Sequence, residues 1–237
     1  MTRTVTLLAE FVTIMDFLPD LASSTPLWLA LLTVGVNAAV GSLRALDDEQ
    51  HWDVVGLATF GTLMGLGGGF IRDVLIGNLP VESLRTPWYL TTVLGTILLV
   101  LVVGQWLARI SVLVTLIDAL ALGLFSITGT AYALRDGLPV VPALFIGTVS
   151  AVGGGVLVSV LKDEVPKILL ASAPNALVAL FASGVYAAVE VGDPGVAGVA
   201  GIAAAIFAHY TTRSLGIRTR RATDPRALLF TRSRDPH

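Results

Sequence analysis

Asp118, the neighbours Arg72 and Asp73, and the run Lys162, Asp163 and Glu164 are the side chains of this 237-residue chain whose chemistry demands a reason, because each lies within or at the end of an apolar stretch. A charge at the centre of a membrane-spanning helix costs about 2.5–3.5 kcal/mol on insertion scales, so it persists where it serves a purpose. Asp118, about two turns into its stretch, fits a cation ligand, the partner of a basic group, or a group close to the membrane surface. Arg72 and Asp73 are opposite charges on adjacent residues and can be buried together at lower cost. Lys162, Asp163 and Glu164 close a stretch as an ordinary solvated helix end does. If Arg72 or Lys162 stood in a permeation path it would slow cations unless Asp73, Asp118 or Glu164 neutralised it, and it would then serve as a gate.

Two glycine triplets frame these charges: Gly67, Gly68 and Gly69, then Gly153, Gly154 and Gly155, each followed thirteen residues after its first glycine by a proline, Pro80 or Pro166. Glycine costs roughly 1 kcal/mol relative to alanine within a soluble helix, so three in a row favour a kink or an unwound turn unless something compensates. Two uses fit. Missing side chains let backbones approach closely, or freed carbonyls line a wet cavity, where irregular backbone is tolerated at membrane depth. The expectation here is a pore-side kink. The nearby hydroxyls of Thr59, Thr62, Thr148 and Ser150 suit either a pore lining or a bond back to a carbonyl one turn earlier.

The elements that must position these groups are membrane helices. With 54% apolar and 14% charged residues and a mean hydropathy of +0.82, the chain is mostly membrane span. Seven apolar runs of near-spanning length are expected, over 27–46, 54–76, 88–108, 111–134, 138–161, 174–190 and 195–213. They are continuous rather than alternating, which argues against a β-barrel. The segment before them, with Glu10 and Asp16 interrupting its apolar run, reads as an interfacial helix rather than a signal peptide. Seven of fifteen basic residues fall at 213–237, giving that tail a net charge of +5 against −7 for residues 1–212. The side carrying the tail, with Arg44, Arg109, Lys162 and Lys167, should be cytoplasmic. The tail itself reads as a topology signal with a disordered end, or as a segment drawn to anionic lipid headgroups through Arg218, Arg220 and Arg221; nucleic-acid binding is not expected.

The triplets mark a duplication. Aligning Gly67 with Gly153 also pairs Val74 with Val160, Leu75 with Leu161 and Pro80 with Pro166. After a two-residue length change, Gly35 pairs with Gly123 and Gly41 with Gly129. The expected organisation is an N-terminal segment (1–26), a first repeat of three helices (27–108), a second repeat of three (109–191), a seventh helix (192–214) and a basic tail (215–237). Because three is odd, the copies face opposite ways. The fold class is therefore an all-α polytopic membrane protein of seven transmembrane helices, an inverted 3+3 repeat plus a seventh helix, the usual plan of permeation proteins.

The run from Gly67 through Gly77-Asn78-Leu79-Pro80-Val81, its second copy from Gly153 to Pro166, and the stretch Ile117-Asp118-Ala119 to Ile127-Thr128-Gly129-Thr130-Ala131 resemble the trimeric intracellular cation (TRIC) channel family in its prokaryotic branch, over roughly residues 27–213. The resemblance implies a homotrimer in the cell membrane, N-terminus outside and C-terminus cytoplasmic, with a pore through each protomer lined by the glycine-kinked second and fifth spans. It implies monovalent cations, chiefly potassium and also sodium, as the permeant species, with no cofactor beyond them and bound lipid. Two departures matter. The first repeat has Ala30 where the family aspartate aligns, and the second has Val158 and Ser159 where Arg72 and Asp73 stand, so each motif survives once and the two halves are not interchangeable.

Enzymology has no support in the residues: there is no phosphate loop, no nucleophile–base spacing and no metal-ligand cluster, and cysteine is absent. His51, His209 and His237 read as a loop residue, a span-end residue and the last residue of the tail. The alternative from the same inverted-repeat physics is a secondary transporter of a small amino acid such as glycine. A non-conducting lipid-binding or assembly protein is the third class, favoured only by the basic tail.

Overall fold

The structure is a computed structural model that describes residues 27–46, 48, 52–108, 111–170, 174–192, 194–219 and 230–232. Its helices are α1 (Leu27–Leu46), α2 (Val54–Ile76), the short α3 (Glu82–Arg85), α4 (Pro87–Ala108), α5 (Ser111–Arg135), α6 (Val140–Leu161), α7 (Asn175–Glu190) and α8 (Pro194–Ser214), with a 3-10 turn over Lys167–Leu169. Six of them are long and apolar enough to cross a membrane. α7 is apolar but only 16 residues long, about 24 Å at the helical rise. It begins after Pro174 and is followed by Gly192, and so falls short of the roughly 20 residues expected of a span. The N-terminal segment lies outside the described residues. So do Arg220 and Arg221, while Arg218 belongs to a short ladder of β1 (Ile217–Thr219) and β2 (Phe230–Arg232) that the sequence did not foreshadow.

Close helix approach is set by small residues that recur in the two halves. A β-carbon on Gly61 of α2 would lie 2.4 Å from the Ser42 hydroxyl of α1, and one on Gly147 of α6 would lie 2.1 Å from the Thr130 hydroxyl of α5. Gly61 and Gly147 are 86 positions apart, Ser42 and Thr130 are 88 apart, and these are the offsets of the two aligned segments. α1 thus packs on α2 as α5 packs on α6.

The helix ends repeat as well. Gly77, at φ 76°, ends α2 in a Schellman motif, with Asn78 N–H donating to Asp73 O at 2.8 Å and Gly77 N–H to Val74 O at 3.2 Å. Eighty-six positions on, Asp163 takes the same left-handed backbone at φ 54°. Glu164 N–H donates to Ser159 O at 2.9 Å and Asp163 N–H to Val160 O at 3.1 Å.

α2 and α6 cross at the triplets, and the contact is reciprocal. A β-carbon on Gly67 would come 2.6 Å from Leu157 Cδ1 and 3.4 Å from Gly154 Cα, and one on Gly153 would come 2.8 Å from Ile71 Cδ1 and 3.5 Å from Gly68 Cα. Each contact maps onto the other under the 86-residue offset, as two-fold packing requires. Neither helix unwinds there: both run unbroken through their triplets. Close backbone approach compensates the weak propensity, so the first two glycines of each triplet serve packing.

Candidate functional site

Two cavities lie on either side of this crossing; α1, α2 and α5 contribute walls to both, while α6 lines only the larger and α3 and α4 only the smaller. The larger, about 410 Å³, is lined by Asn37, Gly41 and Arg44 of α1, Met64 of α2, Asp118 and Ala121 of α5 and Gly155, Ser159 and Lys162 at α6. The smaller, about 20 Å³, is lined by Ala30 and Thr33 of α1, Gly69 and Arg72 of α2, and Phe125, Thr128 and Tyr132 of α5. The smaller has room for about one water.

Their walls are repeat-equivalent. Ala30, Thr33, Gly69 and Arg72 of the small cavity map by the same offsets onto Asp118, Ala121, Gly155 and Val158, all of which line the large one. Asn37 and Arg44 of the large cavity map onto Phe125 and Tyr132 of the small one. The third glycine of each triplet, Gly69 or Gly155, therefore opens onto a cavity; the nearest atom to an added β-carbon is 3.9 Å away at each.

Charge distinguishes the two. In the large cavity Arg44 Nη2 donates to Asp118 Oδ1 at 2.5 Å, with the two side chains 50% and 21% exposed. Lys162 pairs with Asp48 and, at 2.6 Å, with Glu164. Two cationic and three anionic side chains line this cavity, so its field favours cations by one charge. Burial alone would lower the Lys162 pKa, but hydrogen bonds to Asp48 and Glu164 and their charges outweigh it and hold the group above the ordinary lysine value. Lys162 thus stays charged through neutral pH, and its stabilising contribution is lost only as pH rises through the raised pKa.

Beside the small cavity, Arg72 Nε and Nη2 donate to Asp73 Oδ1 at 2.8 and 2.7 Å. The Arg72 guanidinium carbon lies 3.9 Å from the Tyr132 ring centroid, and Asp73 Oδ2 accepts the Glu82 N–H at 2.8 Å. Their side chains are 9% and 1% exposed. This is a buried, hydrogen-bonded pair that ties the end of α2 to α3 and α5. It is not a free cation in a path.

Of the residues singled out in the sequence, Asp118, Lys162, Glu164 and Gly155 meet in the large cavity, and Arg72 and Gly69 meet at the small one. Asp73 supports Arg72 from beneath. Thr59, Thr62, Thr148 and Ser150 line neither cavity. Thr59 donates to Val55 O and Thr148 to Leu144 O, each at 2.8 Å. Thr62 is half-buried on α2. Ser150 is buried at the triplet crossing, its carbonyl 2.1 Å from where a Gly68 β-carbon would be. His209 is buried on α8.

Sequence reasoning missed Asn37, Phe125 and the partners Arg44 and Asp48. An amide within an apolar span was the available signal for Asn37; Asp48, in a loop, carried none.

The family model described as Glycine transporter matches residues 27–105 and 115–190. A UPF0126 membrane protein of Deinococcus radiodurans is 36% identical over 142 residues, 60% of this chain and 65% of that protein. The UPF0126 inner membrane protein YadS of Escherichia coli K12 is 29% identical over 143 residues, 60% of this chain and 68% of that protein. The alignment thus spans about 65% of the length of the Deinococcus relative. Among solved structures, the TRIC trimeric intracellular cation channel orthologue of Rhodobacter sphaeroides superposes with a TM-score of 0.72 at 29% identity, covering 80% of this chain and 97% of that one. A second TRIC cation channel structure gives a TM-score of 0.73 at 25% identity, covering 84% and 98%.

Proposed function

The chain belongs to the family described as Glycine transporter, and from that membership and its TRIC channel fold we propose that it is a monovalent cation channel. It is an integral membrane protein of six long apolar helices and one shorter one. In this reading α7 completes seven spans and the two halves, residues 27–108 and 109–191, form an inverted repeat followed by a seventh helix and a basic tail. Potassium, and also sodium, would cross each protomer of a homotrimer along a path between α1, α2, α5 and α6, entering and leaving through the two cavities. The N-terminus would lie outside and the tail in the cytoplasm, with Arg218, Arg220 and Arg221 near lipid headgroups.

The observation that carries this reading is the pair of repeat-equivalent cavities on opposite sides of the α2–α6 crossing. Binding at the membrane midplane between repeats is how permeation proteins work. The charges at the large cavity are paired, and paired charges with carbonyls and one negative excess hold cations weakly enough to release them. Arg72 and Lys162, each neutralised by carboxylates, leave the path passable to cations. The family description favours a second reading, in which the same cavity receives glycine, its carboxylate at Arg44 or Lys162 and its ammonium at Asp118.

Planar-bilayer recording under a potassium chloride gradient separates the two. Discrete openings whose reversal potential lies near that of potassium are expected. Silence at all voltages, together with saturable glycine uptake into liposomes, would establish a carrier instead.

A further inference from the structure

We propose that Asn37 Oδ1 is a ligand for a permeant alkali cation at the inner end of the large cavity, an inference that rests on the channel reading above. Asn37 stands on α1 among apolar neighbours, 4% exposed, yet lines the cavity. Its Nδ2 donates to Thr33 O of α1 at 3.0 Å and to Ala121 O of α5 at 3.4 Å. An amide carries two such hydrogens, so both are committed. Oδ1 accepts no hydrogen bond among the described residues and is left for whatever occupies the cavity. Thr33 and Ala121 are themselves repeat equivalents, 88 positions apart. One side chain therefore bridges matching carbonyls of the two halves, which puts it at the centre of the pseudo-symmetric assembly.

A fixed neutral oxygen at that point suits an ion that must leave again. A carboxylate in the same place would hold a cation by full charge, whereas a carbonyl replaces one water of its shell. The remaining coordination is water on the cavity side, where 410 Å³ is available. The repeat mate of Asn37 is Phe125, 3% exposed, which lines the small cavity with Cε1 3.4 Å from where a Gly68 β-carbon would be. The two equivalent positions thus place a ligand on one side and an apolar ring on the other.

The test combines thallium(I) as a scattering probe with potassium current. Crystals of the full chain grown with thallium(I) should show an anomalous peak in contact with Asn37 Oδ1, absent from Asn37→Leu. Potassium conductance of Asn37→Leu should fall about tenfold or more, the size expected for losing one contact to a charged group. Asn37→Ser, which keeps a shorter oxygen and guards against misfolding of the leucine variant, should fall between. Wild-type conductance in a folded Asn37→Leu, or a conducting wild type without thallium at Asn37, overturns the proposal. Absence of any potassium current in the wild type overturns the channel reading instead, and the thallium peak alone then decides whether Asn37 binds a cation.

Discussion

Gly68→Ala is expected to lower the melting temperature of the detergent-solubilised protein by a few degrees, up to about 8 °C, while Gly69→Ala, its neighbour in the triplet, raises it by about 2–4 °C. The added methyl at Gly68 would stand 2.1 Å from Ser150 O. That neighbour is backbone, so no rotamer change relieves the contact and α2 must move away from α6. Overpacking of this kind costs about 1–3 kcal/mol and outweighs the roughly 1 kcal/mol that alanine returns in helix propensity. At Gly69 the nearest atom, Arg72 Nη2, is 3.9 Å away, so only the propensity gain remains. Gly154→Ala, with Met64 O at 2.8 Å, should behave like Gly68→Ala, and Gly155→Ala like Gly69→Ala. Thermal scanning by fluorescence-detected gel filtration reads all four. Equal melting temperatures for the Gly68 and Gly69 variants would mean that the triplets are not a packing device.

Removing the Asp73 carboxylate should be the costliest single change among the charged residues. Asp73→Ala leaves the Arg72 guanidinium buried against Tyr132 without its counter-ion and takes the acceptor from the Glu82 N–H. Breaking one side of a buried pair costs about 3–5 kcal/mol. Asp118→Ala provides the contrast, because its partner Arg44 is 50% exposed and pairs at the surface contribute about 0–1 kcal/mol. Removing both partners with Arg72→Met and Asp73→Leu should cost less than Asp73→Ala alone, since no charge is then stranded. Urea unfolding of the detergent-solubilised variants measures the series. A Gly-Gly-Gly-proximal pair that tolerated Asp73→Ala as readily as Asp118→Ala would not be the structural clamp described here.

The spans were legible because a membrane helix is written in its own composition. The run expected over 54–76 is α2 (Val54–Ile76), and the one over 111–134 is α5 (Ser111–Arg135). The 86-position offset read from Gly67 and Gly153 recurs in the contacts, where Leu157 stands against Gly67 and Ile71 against Gly153. What the glycines do was not legible: a weak helix and a close crossing have the same sequence, and only the position of Leu157 and Ser150 opposite them decides between the two. Ion pairing was half legible. Arg72 with Asp73 is local, but Arg44 reaches Asp118 and Lys162 reaches Asp48 across 74 and 114 positions. Those pairs depend on how each helix is rotated about its axis, which the apolar runs leave open. For Thr59 and Thr148 the sequence left two uses open, and both bond back to a carbonyl one turn earlier.

The proposed channel requires a path through the protomer, and the absence of cysteine from the chain makes that path directly addressable. Ser159→Cys places a near-isosteric thiol on the wall of the large cavity, and Val102→Cys places one on α4, where Val102 is 83% exposed. The measurement is potassium current through single channels before and after a positively charged methanethiosulfonate reagent, with modification of each protein verified by mass. Modified Ser159→Cys should lose most of its unitary current, and modified Val102→Cys should retain it. Undiminished current through a fully modified Ser159→Cys protein would contradict that path.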